Sequence, residues 1–387
     1  MFSFLILFSI SFDDQCVAPH ISPAPVPDMT PYYVQVMLRH GARTPMNAYT
    51  PTTHRGYWLC DSDAAYAPRM HGTSFDRYRR FKHVLDPRLV EFLPNCRAGD
   101  LLLEGMAQHK RLGEFYHSYL YDTLKVFTSD PKTEELNVRC SDVERTLRSV
   151  QSFLHGFFPA PEPNTVIDVL TDSDELSLLR PNVEFCQEMK TDLEARNTDP
   201  TFLQYYEEAW TYLLNLSSAL NMPKSISNLN LMCDWVITHF CDDKSMPSYV
   251  THEIEKKCLS VVADFNYMTW GRNPYMYASY IFREVLRVAN DAVAKKNQVK
   301  LTINSAHDST ISAVYRLLAG SKSRIPPYAS HLLMEIWVDK SQEKWVRFAL
   351  NGELIPLREM DNKTLVKYSD FLNSNYKKVY DHCKESP

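Results

Sequence analysis

The sequence predicts an α/β protein, a core sheet flanked by helices with a mainly helical cap domain inserted into it. Three stretches carry that reading. Tyr32 to Leu38 has Val34, Val36 and Leu38 on one face and reads as a buried strand, broken abruptly at Arg39-His40-Gly41-Ala42-Arg43-Thr44-Pro45. Val299 to Ser305 alternates cleanly and runs straight into Ala306-His307-Asp308 and a helical run, Ile311 to Leu318, stopped by Gly320. Between them, from about Pro161 to Leu259, β-type runs thin out and helical stretches such as Phe202 to Leu216 take over. The core is therefore expected over residues 28–160 and 260–387, and the cap over 161–259.

A chain of 387 residues can bury a large core. Its 42 basic and 47 acidic residues leave a net charge of -5, without a basic stripe interleaved with aromatics, which argues against a nucleic-acid partner. The 23 Pro against 10 Gly favour ordered loops over flexible linkers.

Taken in order, residues 1–11 (MFSFLILFSIS) form an apolar run too short to span a bilayer and of the size of a signal-peptide core. No second run approaches membrane length, so the mature chain is expected to be soluble, without a stable membrane anchor, and secreted or in the lumen of the secretory/lysosomal pathway. Residues 47–95 read as an insertion rich in Tyr, Arg and Pro: a lid or specificity element, or a surface elaboration stapled by Cys60 and Cys96. Leu102, Met106, His109, Leu112, Tyr116, Leu120 and Leu124 recur at helical spacing, with His109 read as a packed residue.

Leu136 to Cys140 reads as a short strand. Ser141-Asp142-Val143-Glu144 then offers a helix N-cap, followed by a helix with Val143, Leu147, Val150, Leu154 and Phe157 on one face. Leu332 to Val338 is a further strand, and Trp345–Leu350 with Glu353–Pro356 makes a hairpin around Asn351-Gly352.

Nine cysteines show no CxxC pair and no zinc-ligand spacing, so with a signal peptide they predict disulfides. Cys233 with Cys241 and Cys60 with Cys96 are candidate local pairs, and the odd count leaves at least one thiol over. Asn215-Leu216-Ser217 and Asn362-Lys363-Thr364 are glycosylation acceptors.

The loop at Arg39–Pro45 carries the chemistry. Two arginines on a tight loop after a strand are poor core material and good material for holding a phosphoryl group, because a planar guanidinium matches two of its oxygens at once. The imidazole of His40 between them can attack phosphorus and form a phosphohistidine. The flanking cations disfavour the imidazolium, which keeps His40 nucleophilic at acid pH. Gly41 is expected to let the backbone pass close to the anion. The His307-Asp308 pair falls at the same carboxyl edge of the sheet, where α/β proteins bind ligands.

Arg39-His40-Gly41-x-Arg43-x-Pro45 resembles the signature of the histidine acid phosphatases, in the branch of the histidine phosphatase superfamily that includes lysosomal and prostatic acid phosphatases and phytases. Leu103-Glu104-Gly105-Met106-Ala107-Gln108-His109 resembles a helix of the same family, and Pro326-Pro327-Tyr328-Ala329-Ser330 with Glu335 looks like the acid phosphatases. Arg139-Cys140-Ser141-Asp142-Val143-Glu144-Arg145-Thr146 is similar to a block whose first Arg is the third phosphate clamp. That points to Arg139 for the clamp and to Arg145 as a structural ion-pair partner. Leu231 to Cys241 and Val346 to Cys383 look like the 2-phosphoxylose phosphatase subgroup.

The resemblance implies a phosphoglycerate-mutase-like core and hydrolysis of phosphate monoesters without metal or cofactor. Arg39, Arg43, Arg139 and His307 would bind the phosphoryl group, His40 would attack, and Asp308 would act as general acid, giving an acid optimum. It also implies phosphorylated small-molecule or glycan substrates, and it leaves the oligomeric state open between a monomer and the homodimer frequent in the animal branch. A phytase is an alternative, for which Arg55, Arg69, Arg77, Arg79, Arg80 and Lys82 could supply a basic pocket; as a bare sequence feature they read as a solvated face. A glycan phosphatase of the 2-phosphoxylose type is another. The rivals are a mutase-like transferase, disfavoured by the His-Asp pair, and a catalytically inactive secreted binding protein, disfavoured by the complete set of site residues.

Overall fold

The computed structural model describes residues 16–47, 57–60, 86, 92, 95–158, 166–173, 177–244, 246–320 and 325–384. The expected signal segment, the basic cluster of the insertion and the first residues of the cap lie outside them.

Among the described residues the strands are β1 (Thr30–Arg39), β2 (Leu136–Ser141), β3 (Leu170–Asp172), β4 (Leu301–Ala306), β5 (His331–Val338), β6 (Lys344–Leu350), β7 (Glu353–Leu354) and β8 (Val366–Lys367). They form one mixed sheet in the order β3-β2-β4-β1-β5-β6-β7, with β8 paired to β6. β3, β2, β4 and β1 run parallel, and β5 turns the sheet antiparallel.

Among the described residues the α-helices between residues 103 and 319, in chain order, are α1 (Leu103–Ser118), α2 (Glu144–Phe157), α3 (Gln187–Asn197), α4 (Pro200–Tyr212), α5 (Leu214–Ala219), α6 (Ile226–Cys241), α7 (His252–Trp270), α8 (Pro274–Tyr277), α9 (Ser279–Val293) and α10 (Asp308–Ala319). Side chains alternate across β1, and both faces are covered, as befits the centre of a helix-flanked sheet. Val34, Val36 and Leu38 pack with Leu112 and Tyr116 of α1 and Val150 and Phe153 of α2. Tyr33 and Met37 pack with Ile281 and Val285 of α9 and Val314 and Leu317 of α10. Trp210, Leu213, Trp235, Val236, Cys258 and Val261, on or beside α4, α6 and α7, form a separate apolar cluster.

Register brings the site together. Arg39 pairs with Ala306 across β1 and β4, and Cys140 of β2 pairs with Ser305. Three parallel strands therefore end level, presenting Ser141, His307 and His40 at one edge.

Two local expectations change. Helix α2 begins at Glu144 with Val143 as its cap and no capping side chain. The Ser141 hydroxyl is committed elsewhere, 3.0 Å from Thr146 Oγ1 and 2.9 Å from Nε2 of His307. The buried face of α2 carries Thr146, Ser149, Val150, Phe153 and Phe157, while Leu147 and Leu154 are only half-buried. Thr146 and Ser149 are drawn inward because they bond the ends of β2 and the loop after β1.

The hairpin behaves as its residues demand, with Asn351 at φ 51° and Gly352 at φ 90°, both left-handed. Cys60–Cys96 is bonded, but Cys241 pairs with Cys16 rather than Cys233, and Cys186 pairs with Cys383. Cys233 and Cys241 lie on one helix about 12 Å apart along its axis, beyond disulfide reach. Cys140, Cys233 and Cys258 are buried thiols. No helix of the described residues is long and apolar enough to cross a membrane.

Candidate active site

The loop after β1 is fixed through its backbone. The His40 N–H donates to the Ala306 carbonyl at 3.0 Å, and the Ala42 N–H donates to Oε1 of Gln108 at 2.9 Å. His109 donates from Nε2 to the Arg39 carbonyl at 3.0 Å, and Gly41 N–H donates to the Ser149 hydroxyl at 3.2 Å. A Cβ on Gly41 would sit 2.3 Å from the Gly105 carbonyl oxygen, and one on Gly105 would sit 2.2 Å from that of Ala42. Gly41 therefore makes room for helix α1. The Gly105, Gln108 and His109 positions together are the socket of the loop.

His40 is 2% exposed. Its Nδ1 lies 2.9 Å from the Gly41 carbonyl oxygen, which only accepts, so Nδ1 carries the proton. Burial first, then Arg145, Arg39, Arg43 and His307, hold its pKa well below the usual 6.5. The ring is thus neutral with a lone pair on Nε2, the form a nucleophile needs.

Three guanidinium groups surround it electrostatically. Arg39 donates to the Pro326 carbonyl, lies 3.3 Å from Oδ2 of Asp308 and stacks with its Cζ 4.3 Å from the Tyr328 ring centroid. Arg43 donates from Nη2 and Nη1 to the two carboxylate oxygens of Asp234 at 2.7 and 3.2 Å. Arg145 makes no ion pair among the described residues; burial, with Arg43 next to it, lowers its pKa to about 10. The Nε atoms of Arg39, Arg43 and Arg145 are all buried without a hydrogen-bond partner among the described residues. Each such atom costs free energy that an anion would recover.

Arg139 stands apart. It lies 2.6 Å from Asp172 and 3.5 Å from Glu284, so the arginine expected as the third clamp is neutralised by two carboxylates. Arg145, expected in an ion pair, has none among the described residues. The two arginines are placed differently: Arg139 pairs in register with Leu170 inside the sheet, while Arg145 sits in the first turn of α2 above the strand ends.

His307 and Asp308 open helix α10. Nε2 of His307 meets the Ser141 hydroxyl at 2.9 Å, and that hydroxyl meets Thr146 Oγ1 at 3.0 Å. Thr146 spends its own proton on a carbonyl, of Ser141 or Val143, both at 2.7 Å. Its oxygen therefore accepts from Ser141, whose oxygen accepts from Nε2 of His307. His307 then carries its proton on Nε2 and leaves Nδ1 as the bare nitrogen when neutral. Burial and Arg145 pull its pKa down to about 3 against the opposing Asp308 carboxylate.

Burial favours the protonated form of Asp308, but Arg39, Arg43 and His307 outweigh it, and its pKa falls below 3.8. The Ser309 N–H also bonds Oδ1 at 2.7 Å. Asp308 is accordingly a carboxylate in the free protein.

A model of the histidine phosphatase superfamily (branch 2) matches residues 32–351. The chain belongs to that superfamily. Counting factor 60 of Dictyostelium discoideum is 26% identical over 357 residues, covering 87% of this chain and 84% of that protein. Human 2-phosphoxylose phosphatase 1 is 24% identical over 384 residues, covering 87% and 75%. The phytase structure from Citrobacter braakii superposes with a TM-score of 0.58 at 14% identity, covering 91% of this chain and 98% of that one, a likeness of fold. As in a histidine phosphatase fold, the sheet is mixed and flanked by helices.

Sequence reasoning missed Arg145, Ser141 and Asp234. The spacing of the Arg139–Thr146 block contained a signal for Arg145, since a residue in the first helical turn can face the strand ends. Nothing in the local sequence marks Asp234.

Proposed function

We propose that this histidine phosphatase hydrolyses phosphate monoesters through a phosphohistidine on His40. Nε2 of His40 bonds to phosphorus as the ester P–O bond breaks, and Asp308 gives its proton to the departing oxygen. Water then attacks phosphorus, Asp308 takes a proton from it, and His40 is released. Arg39 and Arg43 bind the phosphoryl oxygens, Arg145 takes the clamp role expected of Arg139, and His307 joins them by donating from Nδ1 once the bound anion favours its imidazolium.

The observation that carries this reading is the trio of buried Nε atoms, unpartnered among the described residues, around a neutral imidazole. An inactive binding protein has no need to keep that imidazole neutral.

Asp308 must be protonated for the first step, yet it is ionised in the free protein. The substrate resolves this: a phosphoryl group neutralises Arg39 and Arg43, and a phosphomonoester below its second pKa, about 6, brings a proton with it. The optimum is therefore acidic. Phosphorylated sugars are the first substrates to try, because 2-phosphoxylose phosphatase is among the relatives. Three disulfides fit a secreted or luminal compartment.

The test is hydrolysis of p-nitrophenyl phosphate against pH with EDTA present. Acid-peaked activity that survives EDTA and vanishes in His40→Ala supports the reading. Activity retained by His40→Ala contradicts it.

A further inference from the structure

Asp234 on cap helix α6 belongs to no expected set of site residues, yet its carboxylate reaches into the phosphate loop. Oδ1 accepts from Arg43 Nη2 at 2.7 Å and Oδ2 from Nη1 at 3.2 Å, while Oδ2 also accepts the Met46 N–H at 2.8 Å. Arg43 Nη1 has one more acceptor, the Thr44 carbonyl at 2.9 Å. Asp234 thus takes one edge of the guanidinium and ties down the turn that carries it. The edge bearing Nε is left, buried and unpartnered among the described residues.

The grip is closed into a ring. About two turns beyond Asp234, helix α6 ends at Cys241, which is disulfide-bonded to Cys16. The Cys16 carbonyl accepts from Gln108 Nε2 at 3.1 Å, and Oε1 of the same Gln108 holds the Ala42 N–H at 2.9 Å. From Arg43 through Asp234, α6, the disulfide and Gln108, the chain of contacts returns to the residue before Arg43. Helix α6 is thus tied to the phosphate loop at two points, directly through Asp234 and, about two turns on, through the Cys16–Cys241 disulfide and Gln108, which limits how far Asp234 can move from Arg43.

We propose that Asp234 is a positioning residue: it acts through Arg43, turning the Nε edge of that guanidinium toward the transferring phosphoryl group. The proposal rests on the phosphatase reading above. Charge and geometry predict opposite effects, which makes the role separable from mere stability. Arg39, Arg43 and Arg145 face Asp308 and Asp234; removing one carboxylate leaves a more positive pocket, which binds an anion at least as well. Losing the orientation of Arg43 misaligns a transition-state contact, and displacements of this size cost about 10–100-fold in turnover. The signature is a lower kcat with undiminished affinity for the product phosphate.

The experiment measures kcat and KM for p-nitrophenyl phosphate, and direct calorimetric binding of inorganic phosphate. The proteins are wild type, Asp234→Ala, Asp234→Asn, Arg43→Ala and the Asp234→Ala/Arg43→Ala double variant, each checked for folding by its melting curve. Asp234→Ala is expected to lower kcat by about 10–100-fold while phosphate binds as tightly as in wild type or tighter. In the Arg43→Ala background the same change should alter kcat by less than about twofold, since coupled residues are not additive.

Asp234→Asn, which keeps an acceptor oxygen and the size, supplies the folded comparison if the alanine variant fails to fold, with a smaller loss of kcat in the same direction. Wild-type kcat in a folded Asp234 variant overturns the proposal, as does an undiminished loss in the Arg43→Ala background. A wild type that binds phosphate and turns over nothing overturns the enzymatic reading itself, and the positioning role with it.

Discussion

Arg139 and Asp172 meet at 2.6 Å on neighbouring parallel strands, and this pair, reinforced by Glu284, removes Arg139 from the set of free cations at the sheet edge. Replacing the two arginines of this block should therefore give opposite phenotypes. Arg145→Ala is expected to lower kcat/KM by about 10²–10³-fold with little change in melting temperature. Arg139→Met leaves half-buried Asp172 without its cation, Glu284 keeping Arg287 at 2.7 Å, and should cost stability, about 1–3 kcal/mol, while the folded fraction stays active. Steady-state kinetics beside denaturant titrations decide it, and a large kcat loss in Arg139→Met at wild-type stability would return the clamp to Arg139.

The buried histidines make the fold acid-sensitive. Burial lowers His109 and His331 to about 4 and His307, with Arg145, to about 3. Unfolded, each titrates at its ordinary 6.5, so between those limits the unfolded chain binds more protons than the folded one. Stability is then fully present above pH 6.5 and falls as pH drops toward 4, by up to about 1.4 kcal/mol per pH unit for each such histidine. Asp308, lowered below 3.8, adds nothing in that window. Urea midpoints that fail to fall between pH 7 and pH 5 would refute this; saturating phosphate should offset part of the loss.

Asp308→Asn removes the proton donor but keeps the shape of the side chain. Its effect should depend on the leaving group: an alkyl phosphate needs protonation of its oxygen and should lose about 10²–10⁴-fold in kcat, whereas p-nitrophenyl phosphate, whose phenolate departs unaided, should lose far less. Equal losses on both substrates would argue against Asp308 as the acid.

Gly105→Ala tests the socket. The added methyl would lie 2.2 Å from the Ala42 carbonyl oxygen and 2.8 Å from the Ala42 nitrogen, so loop and helix must part. A loss of at least about 1–3 kcal/mol is expected, together with lower activity in the fraction that folds, because Ala42 stands between His40 and Arg43. Thermal melts and kinetics on the same preparation check both.

What could be read from the sequence follows from what is local. The Tyr32–Leu38 and Val299–Ser305 runs become β1 and β4 because alternation survives burial on both faces, and Asn351-Gly352 turns because two left-handed residues are required there. His40, His307 and Asp308 come together because two strand ends share a register. The rest depends on partners far away in the chain. No spacing rule tells that Cys16 bridges 225 residues to Cys241, or that Asp234 meets Arg43. The choice between Arg139 and Arg145 turns on Asp172 and Glu284, neither of which belongs to the block that contains the arginines.

The central claim is that His40 becomes covalently phosphorylated. The direct measurement is rapid mixing with ³²P-labelled substrate, a quench in alkali, in which phosphohistidine survives, and mapping of the label by peptide mass spectrometry. The account predicts label on the peptide carrying His40, formed within one turnover and absent from His40→Ala. Turnover without any labelled intermediate, or label on another side chain, would contradict it.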